Sequence, residues 1–68
     1  MKISARNRLK GKITEVKKGA TTAHVKMKVG DAIVTAAITN EAVTELKLKK
    51  GQTAYAVIKA SDVMVGID

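Results

Sequence analysis

The segment that most constrains this chain runs from Thr22 to Thr39. Thr22 to Val29 alternates without a break: Ala23, Val25, Met27 and Val29 share one face, and His24, Lys26 and Lys28 share the other. A period of two belongs to a pleated strand and cannot be laid on a helix, which repeats about every 3.6 residues. Gly30-Asp31 follows, a two-residue signal for a primed hairpin turn. The chain then returns through Ala32 to Thr39, with Ala32, Val34, Ala36 and Ile38 on one face and Ile33, Thr35, Ala37 and Thr39 on the other. Both faces of that strand are largely apolar. A free-standing antiparallel sheet keeps one face wet, so the pattern asks for a second protein surface.

The rest of the chain extends the same reading. Asn40-Glu41-Ala42-Val43-Thr44-Glu45-Leu46 switches to helical spacing, with Asn40 or Thr39 as cap and Glu41 favourably placed in the first turn. Lys47, Lys49, Lys50 and Gly51 are stop signals, and this lysine run reads as a solvated helix end. Gln52 to Ala60 is again a strand with two apolar faces, Ala54, Ala56 and Ile58 against Tyr55 and Val57, which places Tyr55 in the core. Ser61-Asp62 breaks it, and Val63, Val65 and Ile67 alternate in a last strand. Near the start, Leu9 and Ile13 share a phase that Val16 leaves, so a bulge is expected near Thr14-Glu15. The predicted fold is all-β: a five-stranded OB-like barrel with one short helix between strands three and four, filling residues 1–68 as a single domain.

Composition sets the energetic frame. The 68 residues include no cysteine, proline, Phe or Trp, and the apolar content rests on eight Val, six Ile, three Leu, ten Ala, three Met and Tyr55. Ordering such a chain costs on the order of 100 kcal/mol at about 1.5 kcal/mol per residue, and alanines bury little area against it. Disulfides and thiolate metal sites are excluded, which leaves oligomerisation as the available support. The amino-terminal stretch from Met1 to Arg6 has no apolar core of a leader, and no apolar run approaches the ~18 residues of a membrane span, so the expected compartment is the cytoplasm.

The charge is strongly positive, 13 Lys+Arg against 6 Asp+Glu for a net +7. Catalysis has little to draw on. His24 is the only histidine, sits on a lysine-bearing face and reads as an ordinary exposed side chain; the acids are scattered, so no metal-ligand set forms. The glycines stand singly, so there is no phosphate loop. Anion binding is the better class. Ser4-Ala5-Arg6-Asn7-Arg8 offers a hydroxyl, guanidinium, amide and backbone N–H groups within five residues, Lys59-Ala60-Ser61 ends another strand, and Thr39 ends a third. Every polar side chain in that set can donate and none is a carboxylate. A fully deprotonated oxyanion suits such a set, whereas phosphate would leave its own O–H without an acceptor. The plainer reading stands beside this one: Ser4 as a turn residue, Arg6 and Lys59 as surface charges, Thr39 as a helix cap.

Ser4-Ala5-Arg6-Asn7, Leu9-Lys10-Gly11, Ala37-Ile38-Thr39, Gly51 and Ile58-Lys59-Ala60-Ser61-Asp62-Val63 together resemble the molbindins, small molybdate-binding proteins of the Mop family. The module recurs in molybdate-responsive regulators and transporter ATPases, and the resemblance spans the whole chain. It implies a cytoplasmic store or buffer for molybdate or tungstate, built as a hexamer (a trimer of dimers) with oxyanions between subunits. On that pattern Ser4, Arg6 and Lys59 contact one anion from one subunit, assisted by the N–H groups of Ala5 and Ala60 and the Ser61 hydroxyl. Thr39 reaches the same anion from a neighbouring chain. A second kind of site is assigned to Gly19, Ala20, Thr21, Thr22 and His24. Two rivals remain open: a basic OB-type nucleic-acid-binding module, which lacks stacking aromatics beyond Tyr55, and a purely structural oligomerisation domain.

Overall fold

The computed structural model describes residues 1–68. Four strands, β1 (Asn7–Lys18), β2 (Thr22–Val29), β3 (Ala32–Thr39) and β4 (Thr53–Ile58), form one sheet in the order β3-β2-β1-β4. A helix, α1 (Asn40–Leu46), joins β3 to β4, and a single 3-10 turn, Ala60–Asp62, follows β4. All three strand pairings are antiparallel. The architecture is mostly-β and OB-like, with an open sheet.

The first strand organises the fold because it is shared. Its amino-terminal half, Asn7 to Lys12, pairs with β4, and its second half, Lys12 to Lys18, pairs with β2. The register slips between Ile13 and Glu15, where the sequence phase predicts a bulge. The extra residue, Thr14, donates its hydroxyl to the Lys26 carbonyl at 3.3 Å. Ile13, still opposite Met27, also bonds the loop before β4: its N–H reaches the Gln52 carbonyl at 2.9 Å, and its carbonyl accepts from Gly51 at 2.8 Å. A bulge bends and twists a strand, which lets one strand serve two partners on a curved sheet.

The predicted hairpin is present. β2 and β3 pair from Thr22↔Thr39 to Val29↔Ala32, and Gly30 takes a positive φ of 58° in the connecting turn, a conformation open to glycine. The helix matches its predicted span, and Thr39 rather than Asn40 caps it: the Thr39 hydroxyl accepts from the Ala42 N–H at 3.0 Å. Lys47 ends the helix in the left-handed conformation, φ 53° and ψ 46°.

The core is small, as the side-chain inventory implies. Ile13, Ala23, Val25, Met27, Val43 and Ala56 are its buried members, with Val16, Val34, Ile38, Leu48 and Ala54 packed against them. All the β2 residues predicted to face inward except Val29 are in that buried set, and His24, Lys26 and Lys28 are exposed. One close approach sets β1 against β2: a Cβ on Gly11 would stand 2.5 Å from the Lys28 carbonyl oxygen and 2.8 Å from Val29 Cγ2.

Three expectations are corrected. The fifth strand is not formed, so the five-stranded barrel is an open four-stranded sheet: residues 63–68 make no ladder, and Met64, Val65 and Ile67 are 93%, 92% and 96% exposed. Alternation describes side chains only, and a strand also requires a backbone edge; the 3-10 turn carries the chain off β4 before another edge is met. Tyr55 is not core but 49% exposed, because the Ala54-Ala56-Ile58 phase of β4 takes the inner face. The fourth strand also ends at Ile58, short of Ala60, where the 3-10 turn begins. No helix is long and apolar enough to cross a membrane.

Gly11→Ala is expected to lower stability by about 1–3 kcal/mol, since backbone must move to admit the methyl. Ile13→Ala truncates the largest fully buried side chain and is expected to lose about 2–5 kcal/mol. Denaturant unfolding measures both, and a Gly11→Ala midpoint equal to wild type would show that the two strands are not in contact there.

Candidate oxyanion site

Antiparallel register decides which residues can meet. Asn7 opposes Ile58, so the segment before β1 and the segment after β4 leave the sheet side by side. Asn7 fastens the junction by donating its side-chain amide to the Ile58 carbonyl at 3.2 Å. Ser4, Ala5 and Arg6 are thereby brought against Lys59, Ala60 and Ser61, although more than fifty positions separate Arg6 from Lys59 in the chain. These six residues line one cleft of about 670 Å³, together with Val57 and Asp62.

The walls of the cleft are donor-rich. Lys59 is extended, φ −62° and ψ 133°, and turns the chain into the 3-10 segment, where Asp62 and Val63 donate back to the Lys59 and Ala60 carbonyls at 2.9 and 3.2 Å. The first N–H groups of such a turn, those of Ala60 and Ser61, have no carbonyl within it to donate to. Around them stand the Ser4 and Ser61 hydroxyls, the Arg6 guanidinium and the Lys59 ammonium. Ala5 is half-buried and the other five predicted residues are exposed. The cleft is wide relative to a five-atom tetraoxyanion, so one chain gives such a guest a single wall and leaves the rest of it in water.

Sequence reasoning missed Val57 and Asp62. The second matters chemically, because it places a carboxylate beside a set read as donors only. Its position immediately after Ser61 was a visible signal. Arg6 and Lys59 still outnumber it, so the local charge of the cleft is positive.

The remaining predicted residues lie elsewhere. Thr39 ends β3, the edge strand opposite β4, and its hydroxyl is engaged as the helix cap; the chain does not bring it to the cleft. It instead opposes Thr22 and so sits beside the second predicted group. Gly19, Ala20, Thr21 and Thr22 form the β1–β2 turn, closed by the Gly19 N–H on the Thr22 carbonyl at 2.7 Å. His24 stands apart from that turn on the exposed face of β2, opposite Lys17 and Ala37. Asn40, at the start of α1, ties the turn down: its amide donates to the Gly19 carbonyl and its N–H to the Thr21 carbonyl, both at 3.0 Å. Its Oδ1 is buried without a partner. No group of three or more His, Cys, Asp or Glu side chains could hold a metal ion.

Comparison with known proteins identifies the family. Residues 3–65 match the TOBE domain. A probable molybdenum-pterin-binding protein of Haemophilus influenzae is 45% identical over 69 residues, spanning 100% of both chains. A solved molybdate-binding protein from Sporomusa ovata superposes with a TM-score of 0.94 at 36% identity, covering 98% of this chain and 100% of that one. The cytoplasmic molybdate-binding protein ModG, solved with molybdate bound, superposes with a TM-score of 0.92 at 42% identity, covering 100% of this chain and 49% of that one. With the TOBE match running nearly end to end and the relatives alike in sequence and fold, this chain belongs to the TOBE-domain family of Mop-type molybdenum-pterin-binding proteins.

Proposed function

We propose that this protein binds molybdate, or its close analogue tungstate, in the cleft between the start of β1 and the end of β4, and that a second copy of the chain completes the site. The observation that carries the reading is the convergence of Ser4, Ala5, Arg6, Lys59, Ala60 and Ser61 on one cleft. Similarity to molybdate-binding proteins over the whole chain supports the choice of ligand. A tetrahedral dianion has only acceptors to offer, and this wall has two fixed cations, two hydroxyls and backbone N–H groups to meet them. Arg6 supplies a planar fork, and Lys59 a compact charge.

Exposure explains why a second chain is needed. A charge-assisted hydrogen bond contributes about 1.5–3 kcal/mol when water is kept out. On an open surface the same contact is screened and contributes far less. The copy that closes the cleft supplies Thr39, whose place on the opposite sheet edge puts it out of reach of its own chain's cleft. Several features support assembly: the outward Ile33 is 56% exposed, Val63 to Ile67 lie in the open, and an apolar groove lined by Val34, Ile38, Ala54 and Leu46 separates the two edge strands. The assembly is a hexamer, a trimer of dimers, and the Gly19–Thr22 turn with His24 marks its second kind of site. Its role is cytoplasmic molybdenum storage and buffering, without catalysis. A single-strand nucleic-acid module stacks bases on several rings, and Tyr55 is the sole ring here besides His24.

Molybdate is expected to raise the melting temperature while equimolar phosphate does little. At a hundredfold excess over the dissociation constant linkage adds about 2.7 kcal/mol, which is several degrees or more for a domain of this size. No shift with either anion would overturn the reading. Arg6→Ala is expected to weaken molybdate binding by about 10- to 100-fold in a titration while sedimentation still reports the assembled species. Wild-type protein that sediments as a monomer at micromolar concentration yet binds molybdate fully would remove the shared site.

A further inference from the structure

The outward face of the sheet carries a feature separate from the cleft. The register sets Arg8, Lys10 and Lys12 of β1 against Val57, Tyr55 and Thr53 of β4, and sets Lys12 also against Lys28 of β2. Opposed residues share a face and alternate residues return to it, so Arg8, Lys10, Lys12, Lys28 and Lys26 form one continuous stripe. All five are exposed. Glu15, opposite Lys26, is the only acid among the strand residues of that face.

Two observations give the stripe a direction and a use. Lys12 directly opposite Lys28 is a like-charge cross-strand pair, an arrangement that weakens a sheet. Keeping it where two neutral side chains would serve points to a role for the positive potential itself. The stripe also ends at the cleft: Val57, the partner of Arg8, is at once an outward residue of β4 and a wall of the cleft. At about 3.4 Å per residue, Lys10 and Lys12 stand roughly 7 and 14 Å from Arg8 along β1. These distances are comparable to the Debye length of about 10 Å at 0.1 M salt, so the field reaches the cleft mouth at low ionic strength and is lost at high.

We infer that Arg8, Lys10, Lys12, Lys26 and Lys28 form an electrostatic track that delivers tetraoxyanions to the cleft without touching the bound anion. The inference rests on the cleft being the oxyanion site. Steering of this kind raises the association rate and leaves dissociation alone.

The test uses the whole protein with radiolabelled molybdate. Equilibrium dialysis gives the dissociation constant, chase with unlabelled molybdate gives the dissociation rate, and their ratio gives the association rate. Lys10→Gln, Lys12→Gln and Lys28→Gln combined are expected to slow association about tenfold at low ionic strength, with dissociation unchanged and the difference gone near 1 M salt. The melting temperature should hold or rise, because the repulsive pair is gone. Lys10→Gln alone, away from that pair, should show the same signature at smaller amplitude. Unchanged association at low salt overturns the track, and so does faster dissociation, which would mean the lysines hold the bound anion. An equal loss from Lys47→Gln, Lys49→Gln and Lys50→Gln, at the other end of β4 from the cleft, overturns it too by showing that net charge alone acts. A wild-type protein that binds no molybdate fails at the cleft itself, a result distinct from these.

Discussion

The pairing of β1 with β4 is the constraint on which the rest depends. Six consecutive residue pairs, Asn7↔Ile58 to Lys12↔Thr53, join two segments from opposite ends of the chain. Without that ladder, Ser4 to Arg6 and Lys59 to Ser61 are unrelated polar loops; with it, they are two banks of one cleft. The Asn7 side chain reinforces the last rung, and the bulge at Thr14 releases β1 from β4 so that its second half can turn toward β2. Closing such long-range contacts requires loop entropy to be overcome first. That is why tight local devices, the Gly30 turn and the Thr39 cap, are needed to hold the intervening segment compact.

A core of six buried residues, none larger than Met, leaves this fold with little reserve. Small domains bury a smaller fraction of their surface than large ones, and here the aliphatic side chains are divided between two sides of the sheet. The inner side holds Ile13, Val25 and Met27 out of water, while Ile33, Tyr55 and Val57 remain on the outer side. The open sheet, the uncovered apolar tail and the incompletely walled cleft are three expressions of one shortage: a single copy has more apolar surface and more donors than it can cover. In the proposed assembly stability and binding are linked, since a contact that covers the apolar surface would also remove water from the donors and strengthen them.

Charge is distributed by the same alternation that makes the core. Every second residue of β1 and β2 faces out, and lysine occupies most of those places. The resulting face opposes Lys12 to Lys28 with Glu15 as its only strand acid, and it abuts the cleft through Val57. Asp62 is the exception inside the cleft. Its carboxylate tempers the positive field of the proposed oxyanion cleft, so the cleft is less strongly cationic than the outward face beside it.

Alternation at Thr22 to Val29, the Gly30-Asp31 turn, the helix over Asn40–Leu46 and the phase slip before Val16 were legible from residues alone, because each reports a local preference of backbone or side chain. The donor set of the cleft was legible in its chemistry from the residues alone, but its meeting was implied only by the family resemblance. The fate of Val63 to Ile67, the exposure of Tyr55 and the presence of Asp62 in the cleft were decided by the tertiary structure. The division has a physical basis. Periodicity and capping depend on neighbours within a few positions, so they are written in the chain itself. Which edge finds a partner, which face is covered and which distant polar groups converge depend on strand order and register, and those exist only once the sheet has formed.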